Sequence, residues 1–258
     1  NVTSKRENNV KGTKAFNELG EKPVGSLLMQ YAIPAIVAMT ASSVYNIVDG
    51  IFIGQGVGDA AIMGLALTAP IMSLTAAFGA MVGVGAATLM SIRLGQKDYD
   101  TAKKILGNVI IMNTVMGLVL GFVLLHFLTP ILRFFGASDA TLPYAADFMK
   151  VILAGNVFTH LYLGLNALLR STNRPKLAMY ATFGTVGINL LLAPTFIFGF
   201  NWGIRGAALA TILAQIIMLL WQLRLFSDPT SLIHLNRKLL RPDSRIIRES
   251  LVIGLPQF

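Results

Sequence analysis

Asp49 is the only charged side chain between Val24 and Val57, a run otherwise made of apolar, small and uncharged polar residues. A carboxylate in such a run costs about 2.5 kcal/mol or more where it faces lipid, so it is expected to face a cavity or a partner and to serve as an ion or proton site. Tyr45 stands four residues before Asp49 and shares its helical face, and Asn46, three before it, lies beside that face. Asn166 and Asn189 place further amides in later apolar runs. A carboxylate with amide oxygens suits Na⁺, which favours oxygen ligands. The same carboxylate can take up a proton instead. The plainer alternative is a structural Asp49 hydrogen-bonded to Tyr or Asn, and for Asn166 and Asn189 alone a role as interhelical hydrogen-bonding groups.

The elements that must position these residues follow from composition. Apolar residues make up 54% of the 258 and charged residues 13%, about half the charge of an average soluble domain. The formal net charge is +9, yet the basic residues do not form the single patch expected for a nucleic-acid binder. The chain has no cysteine, which removes a disulfide framework and a cysteine metal site. His126, His160 and His234 are too scattered to form a ligand cluster. The expected class is an all-α polytopic membrane protein. Its spans run about Ser26–Ile53, Ala60–Ile92, Ile105–Phe135, Thr141–Leu169, Pro175–Phe200 and Gly206–Phe226. Each reaches the roughly 20 residues that cross a bilayer. The expected division is a polar, basic cytosolic tail over 1–25, a six-helix lobe over 26–226, a basic linker over 227–247, and the start of a seventh helix over 248–258.

The positive charges give the lobe a direction. They gather before the first span, at Arg93, Lys97, Lys103 and Lys104, at Arg170, Arg174 and Lys176, and from Arg224 to Arg248; only Arg133, Lys150 and Arg205 fall elsewhere. Positively charged loops stay in the cytoplasm, so the N-terminus and every second loop are expected there. Asp49 and Asn189 then lie in the outer halves of spans one and five. Asn166 lies nearer the cytoplasmic end of span four. Asp147 and Lys150, three residues apart, are expected to pair near the outer surface, with Trp202 as an outer and Trp221 as an inner interface anchor.

Two small-residue pairs, Gly79 with Gly83 and Gly117 with Gly121, sit one turn apart and allow close helix approach. Pro34, Pro70, Pro130 and Pro194 fall in or near spans and are expected to kink them. Ile33-Pro34 has an echo in Leu255-Pro256, each after a basic stretch. Six spans and a restart of the first is the pattern of a transporter built from parallel repeats.

Several stretches together resemble the N-terminal lobe of multidrug and toxic compound extrusion (MATE) transporters, in the bacterial branch with the DinF-like and MepA-like exporters. They are Ile33-Pro34, Tyr45 through Gly54, Arg93 through Gln96, Asn166 through Arg170, Gly187 through Leu190, and Trp202 through Ala208. The resemblance implies a twelve-helix, two-lobed exporter of organic, often cationic, compounds, driven by H⁺ or Na⁺ through alternating access. It implies a multi-pass protein of the inner membrane whose partners are small organic substrates, the bilayer and a C-terminal lobe of the same chain. No cofactor other than the coupling ion, no nucleic acid and no enzymatic activity are expected. Asp49, Asn189, Asn166 and Tyr45 become the candidate cation-coupling residues, with Asp49 and Asn189 the place for Na⁺. Tyr31, Met39 and Asn46 are candidates for the substrate cavity.

Many relatives carry a second Asp four residues after the Asn matching Asn189. Here that position is Ala193, before Pro194. Its loss favours proton coupling, or Na⁺ completed by water and backbone oxygens. The alternatives are a lipid or lipid-linked sugar flippase of the same superfamily, which tends to carry a strongly basic cavity, and a membrane protein in which Asp49 is only structural.

Overall fold

The computed structural model describes residues 22–257, so most of the expected tail 1–25 lies outside the described residues. Helix α1 spans Val24–Gly56, α2 Asp59–Gly95 and α3 Tyr99–His126, followed by the short α4, Leu128–Phe134. Helices α5, Leu142–Ala154, and α6, Asn156–Ser171, are two pieces of one span bent by 58°. Helix α7 spans Pro175–Pro194 and continues into a π turn, Thr195–Gly199; α8 spans Gly203–Phe226 and α9 Ser244–Gly254. Five of these helices are long and apolar enough to cross a bilayer, and the bent pair makes a sixth span. The expected all-α, six-span lobe is the observed one.

The breaks have local causes. Pro130 has no N–H to offer the carbonyl of His126, and its ring crowds that carbonyl; α3 ends at His126 and α4 starts after Phe127, where one continuous span was expected. Pro194 likewise offers nothing to Leu190, and the ladder shifts into the π turn. At Gly155 a side chain would strike Ile212 of α8, so the bend between α5 and α6 sits directly against α8. Pro34 and Pro70, by contrast, lie inside unbroken helices.

The bent span is the centre of the lobe. Gly83 of α2 meets Gly164 and Ala167 of α6, while Gly117 and Gly121 of α3 face Val157 and Leu153. Both small-residue pairs therefore grip the same span from two sides, and the buried Asn156 adds a hydrogen bond of 3.1 Å from Nδ2 to the Gly117 carbonyl. Helices α7 and α8 pack on each other, and α1 lies mainly against α7.

At the basic face, Asp98 caps α3 by accepting from Thr101 N at 3.1 Å. Hydrogen bonds from Thr101 hold its carboxyl below the usual carboxylate range. The stretch after α8 folds back onto the lobe: Leu235 N donates to Phe226 O, and Ile233 is buried. Asn108 of α3 accepts from Asp243 N at 2.8 Å and donates to the Arg241 carbonyl at 3.4 Å. Asp243 in turn caps α9, so the seventh helix begins at Ser244, four residues before the expected Arg248. Helix α9 packs on α2, with Gly85 against Ser250 and Gly254 against the Met81 carbonyl.

That last contact is backbone on backbone and has no flexible side chain to give way. Gly85→Val is expected to destabilise the protein by about 1–3 kcal/mol, read as a lower unfolding midpoint of the purified protein. Gly187→Ala, inside α7 where nothing lies within 4 Å of the added methyl, is the control and should leave the midpoint unchanged or slightly raised.

Candidate functional site

Three spans meet around Asn189 of α7. Its Nδ2 donates to Tyr45 Oη of α1 at 2.9 Å and to Thr211 Oγ1 of α8 at 2.9 Å. Tyr45 Oη and Thr211 Oγ1 are themselves 3.2 Å apart, and Thr211 Oγ1 donates to the Ala207 carbonyl at 3.2 Å. A hydroxyl has one proton and an amide nitrogen two. With the Thr211 proton directed to Ala207, the Tyr45 proton goes to Thr211 and both amide protons of Asn189 are used. The triangle closes, and every donor in it is occupied.

Two acceptors are left over. Asp49 Oδ1 and Asn189 Oδ1 are buried without a hydrogen-bond partner among the described residues. Asp49 lies one turn beyond Tyr45 on the buried face of α1, which also carries Pro34, Ala38 and Ile53. Buried acceptors without a donor are costly, and a proton, a water or a cation would satisfy either of them. Ala193 is buried one turn beyond Asn189 and presents a methyl group. The oxygens present, one carboxylate with an amide carbonyl and two hydroxyls close by, suit a hard monovalent cation; no cluster of three or more His, Cys, Asp or Glu occurs among the described residues.

The sequence candidates divide. Tyr45 and Asn189 are joined by a hydrogen bond, and Asp49 lies buried one turn beyond Tyr45 on the same helix. Asn166 serves a different junction: it donates to the Ala178 carbonyl at 3.1 Å and accepts from Arg170 at 2.7 Å, joining α6 to α7. Tyr31 donates to Asn173 Oδ1 at 2.7 Å and ties α1 to the turn between α6 and α7. Met39 and Asn46 are exposed, flanking the buried face of α1. The expected Asp147–Lys150 pair is not formed; Asp147 takes Arg205 of α8 instead, at 2.9 Å, because α5 and α8 pack together.

The sequence profile of the MatE family matches residues 34–195, a stretch that includes Asp49, Tyr45 and Asn189. The chain belongs to the MATE family. Similar relatives include the multidrug export protein MepA of Staphylococcus aureus strain MSSA476, 30% identical over 238 residues, and that of Staphylococcus haemolyticus, 31% identical over 238 residues. Each alignment covers 92% of this chain and 53% of the relative, so the chain spans about half the length of the curated relatives it matches. Among solved structures, an outward-facing multidrug resistance MATE transporter superimposes with a TM-score of 0.83 at 26% identity, covering 89% of this chain and 51% of that one. A MATE transporter in a bent conformation shares the fold, with a TM-score of 0.86 at 24% identity over 96% of this chain and 54% of that one. This MATE lobe thus shares its fold with about half the length of the solved transporter chains.

Sequence reasoning missed Thr211, the third corner of the triangle. Its signal is faint: one hydroxyl in the small-residue run Gly206 to Ala214, a turn after Ala207, where α8 is buried against its neighbours. It also missed His160, fully buried opposite Gly79 with both ring nitrogens unpartnered among the described residues. Thr211→Val removes the acceptor shared by Tyr45 and Asn189, and is expected to cost about 1–3 kcal/mol as a lowered unfolding midpoint. Thr211→Ser keeps the hydroxyl and should restore most of it.

Proposed function

We propose that this lobe is the N-terminal half of a cation-coupled multidrug exporter, with Asp49 and Asn189 as its coupling site. The observation that carries this reading is the pair of buried acceptors beside a hydrogen-bond triangle whose donors are all taken. A proton on Asp49 supplies the missing donor. Asp49 and Asn189 would instead hold a Na⁺ ion through their oxygens, with the hydroxyls of Tyr45 and Thr211 as further candidates. Ala193 adds neither charge nor oxygen, so Asp49 bears the coupling charge of this group alone, which favours the proton. A ligand moves a conformational equilibrium only through unequal affinity for the two states. The site joins α1 to α7 and α8, so its occupancy changes how firmly α1 is held and thereby which side of an alternating-access cycle is favoured.

The clustering of Lys and Arg on alternate loops supports a cytoplasmic N-terminus in the inner membrane. Under that orientation the site lies in the outer half of the lobe. The exposed residues Met39 and Asn46 then face the space shared with the second lobe, where organic, often cationic, compounds would bind among apolar side chains. That the similar relatives are multidrug export proteins supports this substrate class.

Asp49→Asn in the full-length protein is expected to abolish gradient-driven efflux from everted vesicles while leaving membrane insertion at the wild-type level. Imposing Na⁺ and pH gradients separately identifies the ion, and undiminished efflux by the mutant under both would refute the coupling role. A second expectation follows from a cavity shared by two lobes: residues 1–258 alone, inserted in liposomes, should give no transport above that of empty liposomes.

A further inference from the structure

We propose that the cleft between the basic end of α2 and the start of α9 binds the headgroup of an anionic phospholipid. The inference goes beyond the transport reading and does not depend on the coupling ion. The cleft encloses about 910 Å³. Its charged lining is Arg93 of α2 with Arg245, Arg248 and Glu249 of α9, beside the polar Gln96 and Ser244, and its apolar wall includes Ile92 and Val252.

The charges in the cleft do not balance. Glu249 is the single carboxylate, and it is shared by Arg93 at 3.1 Å and Arg245 at 3.0 Å. Arg248 has no ion pair among the described residues. Three guanidinium groups therefore face one carboxylate. The Arg93 fork is also incompletely used: its terminal nitrogens reach Gln96 and Glu249, but Nε is buried with no acceptor among the described residues. A guanidinium is best matched by the oxygens of a phosphate or carboxylate.

The apolar wall selects among anions. Ile92 and Val252 remain 45% and 63% exposed, and they stand on the membrane-ward side of the arginines along α2 and α9. A headgroup phosphate among the arginines would leave its acyl chains along these two side chains, at the face of the membrane where the Lys and Arg residues collect. A small soluble anion would satisfy the charge and leave the apolar wall in water. A zwitterionic headgroup would bring a cation toward an existing surplus of positive charge.

The test uses the full-length transporter purified in detergent and titrated with phosphatidylglycerol, phosphatidylcholine or inorganic phosphate, with bound species counted by native mass spectrometry. Phosphatidylglycerol should be retained selectively. Arg245→Gln and Arg248→Gln should each weaken its retention about fivefold, and the double variant more, while the Arg93–Glu249 pair stays intact. Equal retention of the two lipids, unchanged retention in the double variant, or competition by inorganic phosphate at the same concentrations as the lipid would overturn the proposal. An introduced Val252→Cys should react with a maleimide and be protected by phosphatidylglycerol. A thiol that is inert in lipid-free protein would show that the rest of the transporter covers the cleft, which also overturns it.

Discussion

The closed triangle of Asn189, Tyr45 and Thr211 organises the interior of the lobe because its own donors are all used within it, one turn from Asp49. Inside a bilayer no water is at hand to satisfy a stray polar group, so a junction of three spans must balance its own donors and acceptors. This one balances its donors and leaves two acceptors. The imbalance exists because Asn189 holds its amide nitrogen toward α1 and α8 at once, which turns its carbonyl oxygen away from both hydroxyls. Had the partners offered another proton, or had Ala193 been polar, the remaining oxygens would have a different chemistry. The triangle fixes where α1 can sit, and the leftover oxygens fix what can sit beside it.

The apolar core is arranged around this junction. It is split into two clusters. One, at the basic end, is built on residues such as Leu89, Ile105, Leu169 and Phe226. The other, at the opposite end, includes Ile53, Ile71, Leu132 and Ile204. Buried polar residues outside both clusters include Asp49, Thr75, Asn113, Asn156, His160 and Asn189. On α2 the step from one cluster to the other runs Ile71, Thr75, Gly79, Val82; on α3 it runs Met112, Asn113, Gly117, Leu124. The glycines that let α2 and α3 close on the bent span fall in or beside these steps. Close backbone approach and buried polarity therefore coincide. Small residues leave no apolar side chain to fill the space there, and amides such as Asn156 can then reach a neighbouring carbonyl.

How much of this was legible beforehand depended on range. Span number and class follow from hydropathy, a property summed over some twenty residues, and survive small errors. The pairing of Tyr45 with Asp49 follows from helical periodicity. The breaks at Phe127 and after Pro194 were only half legible: the prolines announced kinks, but whether a kink becomes a break depends on packing, and Pro34 and Pro70 made none. Thr211 and the Asp147–Arg205 pair were out of reach for one reason. Each joins helices far apart in sequence, and which faces meet is decided by small-residue packing that a single sequence does not resolve. The assignment of Asn166 to the same group as Asn189 failed at that level too. Both are buried amides, but α6 turns Asn166 toward Arg170 and the Ala178 carbonyl.

The spans are unequally held, and the inequality falls on the element that carries Asp49. In the most apolar stretch of α8 half of the residues are buried, against 17% in that of α1. Over its 33 residues α1 buries only Pro34, Ala38, Asp49 and Ile53, while Ile36, Met39, Val44 and Ile47 face outward. Its polar attachments are correspondingly few: Tyr31 to Asn173 near one end and Tyr45 to the Asn189 triangle near the other. Between lipid and helix there is little hydrophobic driving force, because lipid tails are as apolar as the side chains they touch. A span attached by so narrow a stripe is held largely by its polar contacts and by close packing at a few positions. Asp49 is therefore one of a small number of points at which a local change acts on the whole helix. The same unsatisfied oxygen in α8 would be held in place on both sides by alanines and glycines, and what bound it would move nothing.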